Sequence, residues 1–545
     1  MKFLAGLIAA LPLASMAASP ALLPPRVDKA IHERIDSGRY PALVVAVVDG
    51  GHAEVYAFGT LADGKRPDAD TVFEIGSVSK TFTTTVLAQD VQNGKLTLDT
   101  PVAKLLPGFS MPSRDGKAIT LEHLATQRSG LPRLPDNLDL SQIKDPYANY
   151  DGAKLKAFLA GYTLTRDPGS AYEYSNLGVG LLGYALAQHA GLPYDALLQK
   201  RIFGPLQMTS SATALTGAMR AHLASGHDGA GTPVGNWNFQ ALAGAGAIKS
   251  SAGDMLRYLK ANMGQLKSAL YPAMQLAHAA RADGPGERIG LAWMTRPDPA
   301  GAVIWHNGAT GGYASFLGFT ADGKHGVVIL TNISRSVDDL GFATLLADAR
   351  LPPPRVRIAM SPGQLDAYVG SYQLTPQFVL RIFRVADQLH AQGTGQAALP
   401  IFPSARDEFF AEAVDASASF QRDASGKVVG MILHQNGDRP APRMSEAEAA
   451  SGQHAVTLTP AKLAQYVGHY QLAPGAMFEV TLQAGQLMVQ LTGQPAFPVF
   501  ASAPDQFFYK VVDAQLTFLR DAGGRITALV LHQGGKDHRA PRKDQ

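Results

Sequence analysis

The chain has 545 residues, enough for about two to four domains, and its 46% apolar content is ample for packed cores. Charged residues make up 17%, the net charge is +3 and no long basic run occurs, which argues against a nucleic-acid surface. The absence of cysteine excludes disulfides, thiol nucleophiles, cysteine metal sites and a lipid-modified cysteine.

At the N-terminus Met1-Lys2 leads into an apolar run, Phe3 to Met16, followed by Ala17-Ala18-Ser19. A positive start, a short apolar core and a small-residue end make a secretory signal over residues 1–17. Ser15-Met16-Ala17 places cleavage after Ala17, with an uncleaved anchor as the alternative. The expectation is a periplasmic or secreted protein with no stable membrane span after cleavage. Val27, Ile31 and Ile35 then predict a helix over Arg26–Ser37. Leu43–Asp49 and Ala53–Phe58 predict a hairpin around Gly50-Gly51.

The next stretch, Phe73 to Phe82, contains Ser77 and Lys80 at the start of a helical pattern. Phe82, Val86, Leu87 and Val91 predict an amphipathic helix, stopped by Asn93-Gly94. Residues i and i+3 share a helix face, so the Lys80 ammonium reaches the Ser77 hydroxyl, the arrangement of a lysine-assisted nucleophilic serine. Taken alone, Ser77 or Ser79 serves equally well as a helix cap.

From about residue 110 to 285 helices and loops dominate. Leu121–Thr126 predicts a short helix before the turn Arg128–Pro132. Tyr174-Ser175-Asn176 precedes a helix with Leu177, Leu181, Leu182, Ala185 and Leu186 on one stripe, ended by Gly191. Within it Gly178, Gly180 and Gly183 fit a dinucleotide fingerprint formally. No hydrophobic strand precedes them and no acidic residue follows near Arg201, so they read as close helix packing. Ser250-Ser251 starts another helix. Strands follow at Ile289–Thr295, Ala302–His306, Tyr313–Phe319 and Val327–Asn332, then a closing helix over Val337–Ala349. Strands at both ends and helices between them predict an α+β domain over residues 26–350, an antiparallel sheet flanked by helices with a helical insertion.

Leu351-Pro352-Pro353-Pro354 marks a boundary, and beyond it lies an internal repeat. Leu365 to Leu374 matches Leu463 to Leu472, Thr394-Gly395-Gln396 matches Thr492-Gly493-Gln494, and Leu433-His434-Gln435 matches Leu531-His532-Gln533, each offset by 98 positions. Short alternating strands with Gly or Asp turns predict two small antiparallel β-barrels, residues 361–443 and 459–542, joined by a linker at Met444–Gln453.

Three motifs in residues 26–350 form an ordered set: Ser77-Val78-Ser79-Lys80, Tyr174-Ser175-Asn176 and His306-Asn307-Gly308. In order and context they resemble the serine β-lactamase and penicillin-binding superfamily, most closely the class C β-lactamase group. That group includes DD-peptidases, D-aminopeptidases and β-lactamase-like esterases. The resemblance implies a β-lactamase/transpeptidase-like fold and a serine hydrolase that needs no cofactor or metal. By that resemblance Ser77 is the nucleophile and Lys80 and Tyr174 share the acid–base work. Which of the two removes the serine proton stays open. Asn176 bonds a substrate amide or orients Lys80. His306, Asn307 and Gly308 lie on an edge strand facing the site, and Gly308 admits the substrate. The N–H groups of Ser77 and Ala309 form the oxyanion hole. Tyr313 is a candidate substrate contact because it follows the third motif, whereas Trp237, Trp293 and Trp305 read as packing residues.

The chain departs from the class C β-lactamase pattern at His306, where those enzymes carry lysine. A histidine is largely neutral at pH 7 and anchors a substrate carboxylate more weakly. The implied partner is a peptidoglycan-type peptide, a β-lactam or a small ester, and no oligomeric state is implied. Peptidase, β-lactamase and esterase remain three readings of one acyl-enzyme chemistry, with peptidase preferred, and a non-enzymatic binding protein is the reading that intact Ser77, Lys80 and Tyr174 argue against. The barrels resemble the lipocalin-like C-terminal domains of D-aminopeptidases.

Overall fold

The computed structural model describes residues 21–543 apart from 140–143, 352–356, 376–377, 395–397, 413, 415, 436–437, 446–457, 474, 484, 495, 510–513, 522 and 534–535. The signal segment, the triple proline and most of the linker lie outside the described residues. The chain divides into two compact units between Pro353 and Pro354.

The first unit is built on an antiparallel sheet. Helix α1 (Pro25–Asp36) precedes the hairpin of β1 (Ala42–Asp49) and β2 (His52–Gly59). Two short strands, β3 (Val72–Glu74) and β4 (Lys249–Ser251), pair separately. The sheet is completed by β5 (Ala282–Asp283), β6 (Arg288–Ile289), β7 (Met294–Arg296), β8 (Val303–Ala309), β9 (Ala314–Thr320) and β10 (His325–Thr331), in the order β2-β1-β10-β9-β8-β7-β6-β5. β1 is buried from Ala42 to Val48 because both faces are covered. Val45, Val47, Phe316, Val327 and Ile329 pack toward α1 and the closing helix Asp338–Leu345. Val44, Ala46, Val48, Leu317, Val328 and Leu330 pack toward the helix Ala252–Asn262. This alternation is the period of two of a strand read on two cores.

Two expectations change. The helix α2 (Ser79–Gln92) is central rather than amphipathic, with every residue from Ser79 to Asp90 buried. Its polar residues are satisfied by backbone carbonyls near and far in the chain: Thr81 donates to Val78 O at 2.8 Å, Thr83 to Gly244 O at 2.8 Å and Thr84 to Leu291 O at 2.8 Å. The run Ile289–Thr295 forms two strands, because its middle bonds elsewhere. Leu291 N donates to Ala277 O and Ala292 N to Ala125 O, both at 2.8 Å, with Ala292 at φ +64°.

The second unit holds two eight-stranded antiparallel sheets, Gly370–Thr375 through Asp438–Pro442 and Gly468–Ala473 through Lys536–Pro541. First and last strands approach each other, and bridges Tyr372 to Arg443 and Tyr470 to Arg542 nearly close each barrel. Tyr368, Tyr372, Phe409 and Phe420 fill the first core, and Tyr466, Tyr470, Phe507 and Phe518 the second. Small barrels filled this way are packed cores.

Candidate active site

Ser77 lies in a 3-10 turn, Gly76–Val78, that leads into α2. From Thr71 to Asp90 it is the one residue that is not buried. Gly76 precedes it at φ +49°, and a Cβ there would come within 2.6 Å of the Ala309 amide nitrogen. Glycine is therefore required both by the turn and by the approach of β8. Ala309 is thereby brought against the turn that carries Ser77.

Lys80 is one turn further and fully buried. Its Nζ donates to Ser77 Oγ at 2.8 Å, Asn176 Oδ1 at 2.8 Å and Ala245 O at 2.7 Å. Asn176 stands on the first turn of α3 (Asn176–Ala190), which Ser175 caps by accepting from Gly178 N. Its amide nitrogen donates to Tyr147 Oη at 3.2 Å, so Asn176 bonds Lys80 through its oxygen and a tyrosine through its nitrogen. The Lys80 ammonium is 4.9 Å from the centre of the Tyr174 ring, and the Arg133 guanidinium carbon is 5.0 Å from it.

This packing moves both acidities. Burial pushes Lys80 below its ordinary value, Tyr174 opposes that shift, and Arg133 adds to it. Burial alone would raise Tyr174, but Lys80, hydrogen bonds to Lys80 and Ser77, and the charge of Arg133 together bring it below the usual phenol range. Each group thus acts on the other's proton affinity. His306 is buried and pushed down to about 3, by burial first and by Lys80 second, so it is neutral at pH 7.

The third motif is placed differently from the expectation. β8 is an interior strand, paired with β9 along its length and with β7 over Val303–Trp305. Because β7 is only three residues long, the edge of His306–Ala309 on that side has no strand partner among the described residues. Alternation sends His306 to the α2 side and Asn307 to the other, where Asn307 Nδ2 donates to Asp338 Oδ2 at 2.6 Å. Asn307 therefore does not enter the site. Gly308 faces the protein rather than a substrate: a Cβ would meet Ile75 O at 2.0 Å. Tyr313 is buried, donates to Ala224 O at 2.7 Å and packs against Gly226, which removes it from the substrate contacts. Trp293 is fully buried, and Trp305 is half-buried and donates to Glu287 at 2.8 Å. Trp237 is half-buried over Gly311, its ring 5.5 Å from that of Tyr147. Gly180 and Gly183 meet Leu242 and Gly244 closely, as helix packing requires.

Two features are illegible in the local pattern. Glu74 and Lys249 are cross-strand partners with charged atoms 3.7 Å apart, both almost fully buried. Burial raises Glu74 and lowers Lys249, with each charge opposing the other's shift. Glu74 also accepts from Trp237 N at 2.9 Å, tying that loop to the Ser77 stretch. Arg133 is the second, and only its position after the Arg128–Pro132 turn could have suggested it.

Comparison with known proteins follows the same division. The family model described as Beta-lactamase matches residues 27–350, and a domain of unknown function, DUF3471, matches residues 354–449 and again 452–541. A beta-lactamase of Pseudomonas fluorescens is 28% identical over 341 residues, covering 56% of this chain and 92% of that protein. The D-alanyl-D-alanine-carboxypeptidase/endopeptidase AmpH of Escherichia coli K12 is 26% identical over 325 residues, covering 55% and 83%. Among solved structures, a class C beta-lactamase superposes with a TM-score of 0.53 at 25% identity, over 60% of this chain and 96% of that one. A D-alanine carboxypeptidase from Burkholderia cenocepacia does so at 0.50 and 26%, over 58% and 97%. With the Beta-lactamase model matched over residues 27–350, the stretch in which a serine, a buried lysine and a tyrosine meet, this chain belongs to the beta-lactamase family and is a serine hydrolase.

Proposed function

We propose that the protein is an exported hydrolase that cleaves an amide bond in D-amino-acid peptides through an acyl-enzyme on Ser77. The observation that carries this reading is the Lys80 ammonium, buried and bonded to Ser77 Oγ beside a tyrosine of lowered pKa. As the bond from Ser77 Oγ to the carbonyl carbon forms, the hydroxyl proton passes to the Lys80–Tyr174 pair. The negative charge on the carbonyl oxygen faces the N–H groups of Ser77 and Ala309. The C–N bond then breaks, Tyr174 returns a proton to the departing nitrogen, and a free amine leaves. Water attacks the ester by the same proton route and releases the acid.

The open edge of β8 at His306–Ala309 suits an extended peptide backbone. Neutral His306 supplies no positive charge there, which favours peptides over efficient β-lactam turnover. The names of the Escherichia coli and Burkholderia relatives support a carboxypeptidase. Small esters are the alternative substrates, since they form the same acyl-enzyme. Export is read from residues 1–17, and no helix among the described residues is long and apolar enough to cross a membrane.

Mass spectrometry with a penicillin, p-nitrophenyl esters and D-Ala-D-Ala peptides tests this. A covalent adduct on Ser77 is expected, and Ser77→Ala removes it with a loss of turnover on the order of 10³-fold or more. Equal labelling of the Ser77→Ala variant overturns the nucleophile. Ester turnover exceeding peptide turnover in kcat/KM overturns the peptidase.

A further inference from the structure

The charges at the site are unequally committed. Lys80 is fully buried on three oxygen acceptors, Lys249 is paired with Glu74, and His306 carries no charge at pH 7. Arg133 is different. It is half-buried, and among the described residues no carboxylate lies within ion-pair distance of its guanidinium. Its charge rests against the Tyr174 ring and helps to lower that phenol, but no carboxylate meets its paired N–H donors, and such groups collect where a ligand completes them.

Its position is fixed from the backbone. Arg133 O accepts from Asn176 N at 3.0 Å and from Leu177 N at 3.3 Å, and Ser175 Oγ donates to Pro132 O at 2.6 Å. The turn is thus clamped to the start of α3, and the guanidinium rests against the Tyr174 ring. Tyr174 is the group that hands a proton to the departing nitrogen, so a cation against Tyr174 borders the leaving half of the substrate.

We propose that Arg133 anchors a carboxylate on the leaving half of the substrate, the α-carboxylate of the departing amino acid. The inference rests on the acyl-enzyme roles above and narrows the substrate to peptides with a free C-terminus. A planar guanidinium matches a carboxylate with two parallel hydrogen bonds. The carboxylate is a spectator and leaves with the amine.

The test uses the full chain and two thioesters, N-acyl-D-alanyl-thioglycolate and its methyl ester, which differ only in the leaving-group charge. Wild-type enzyme is expected to prefer the free acid. Arg133→Gln is expected to lower kcat/KM for the acid roughly ten- to a hundredfold more than for the ester, mainly through KM. Arg133→Lys, which keeps the charge, is expected to restore part of the preference. Equal losses on both thioesters, with a displaced pH profile, mean that Arg133 acts only through Tyr174 and overturn the anchor. A wild-type enzyme indifferent to the carboxylate, or inactive on both, overturns it without any variant. Reactive thioesters acylate a serine hydrolase whatever its natural bond, so preference for the acid thioester with no D-peptide turnover sinks the peptidase and keeps the anchor.

Discussion

The barrels and the active site treat polar groups in opposite ways. In each barrel a tyrosine, an aspartate and an arginine complete one another. Tyr368 donates to Asp407 at 3.0 Å, and Arg422 Nε donates to the same carboxylate at 2.8 Å. One repeat later Asp505 N donates to Tyr466 Oη at 3.1 Å and Arg520 Nε to Asp505 Oδ1 at 2.9 Å. Asp407 and Asp505 sit at φ +69° and +65°, so each turn is held by its own side-chain bonds. At the active site the opposite holds: a lysine and a tyrosine, both of lowered pKa, lie beside an arginine with no counter-ion among the described residues. Charge that is fully answered, twice in the same way, is architecture. Charge that is left partly unanswered is available for chemistry.

The largest effect that would sharpen this contrast comes from Gly308. In Gly308→Ala the new methyl collides with Ile75 O, and β8 must move away from the Ser77 turn. Activity is expected to fall on the order of 10²-fold, from misplacement of reacting groups, and the first unit to lose about 1–3 kcal/mol. A Gly308→Ala enzyme with wild-type kcat would break the proposed link between that strand and the nucleophile.

Acid separates the units next. His306 and His278 are both pushed down to about 3 by burial. A folded pKa below the unfolded value of about 6.5 means that their contribution is complete above pH 6.5. It is lost as pH falls from about 6.5 toward 3, because the unfolded chain takes up the protons first. In the barrels Asp407 and Asp505 are lowered, chiefly by hydrogen bonds from Arg422 and Arg520. Their contribution persists down to about pH 4 and is lost below it. Calorimetry against pH is expected to show the first unit's transition falling earlier. His278→Gln is expected to make that acid limb shallower, and an unchanged limb would remove His278 from the account.

Asp407→Ala is the reciprocal test. It strips Tyr368 and Arg422 of their shared acceptor and places alanine at a left-handed position, for about 1–2 kcal/mol of barrel stability. Hydrolysis is expected to be unchanged, and a changed kcat/KM would show that this device reaches the active site. The smallest effect belongs to Asn307→Ala, which removes the bond to Asp338 for about 1 kcal/mol of stability. Substrate selectivity is expected to stay as it is; a selectivity change would return Asn307 to the site.

Much of this was legible in the chain. Local rules decided the capped helix after Ser175, the hairpin at Gly50-Gly51 and the repeat at 98 positions, because caps, turns and periodicity act over a few residues. The spacing of Ser77 and Lys80 likewise put ammonium and hydroxyl one helical turn apart. Tertiary structure decided the rest. It buried α2 on all sides, turned Asn307 and Tyr313 away from the site, and spent Gly308 on Ile75 rather than on substrate. It also joined Glu74 to Lys249 and left Arg133 against Tyr174. The physical reason is common to all five: each depends on which distant backbone or charge comes within a few ångströms, a quantity that local periodicity does not carry.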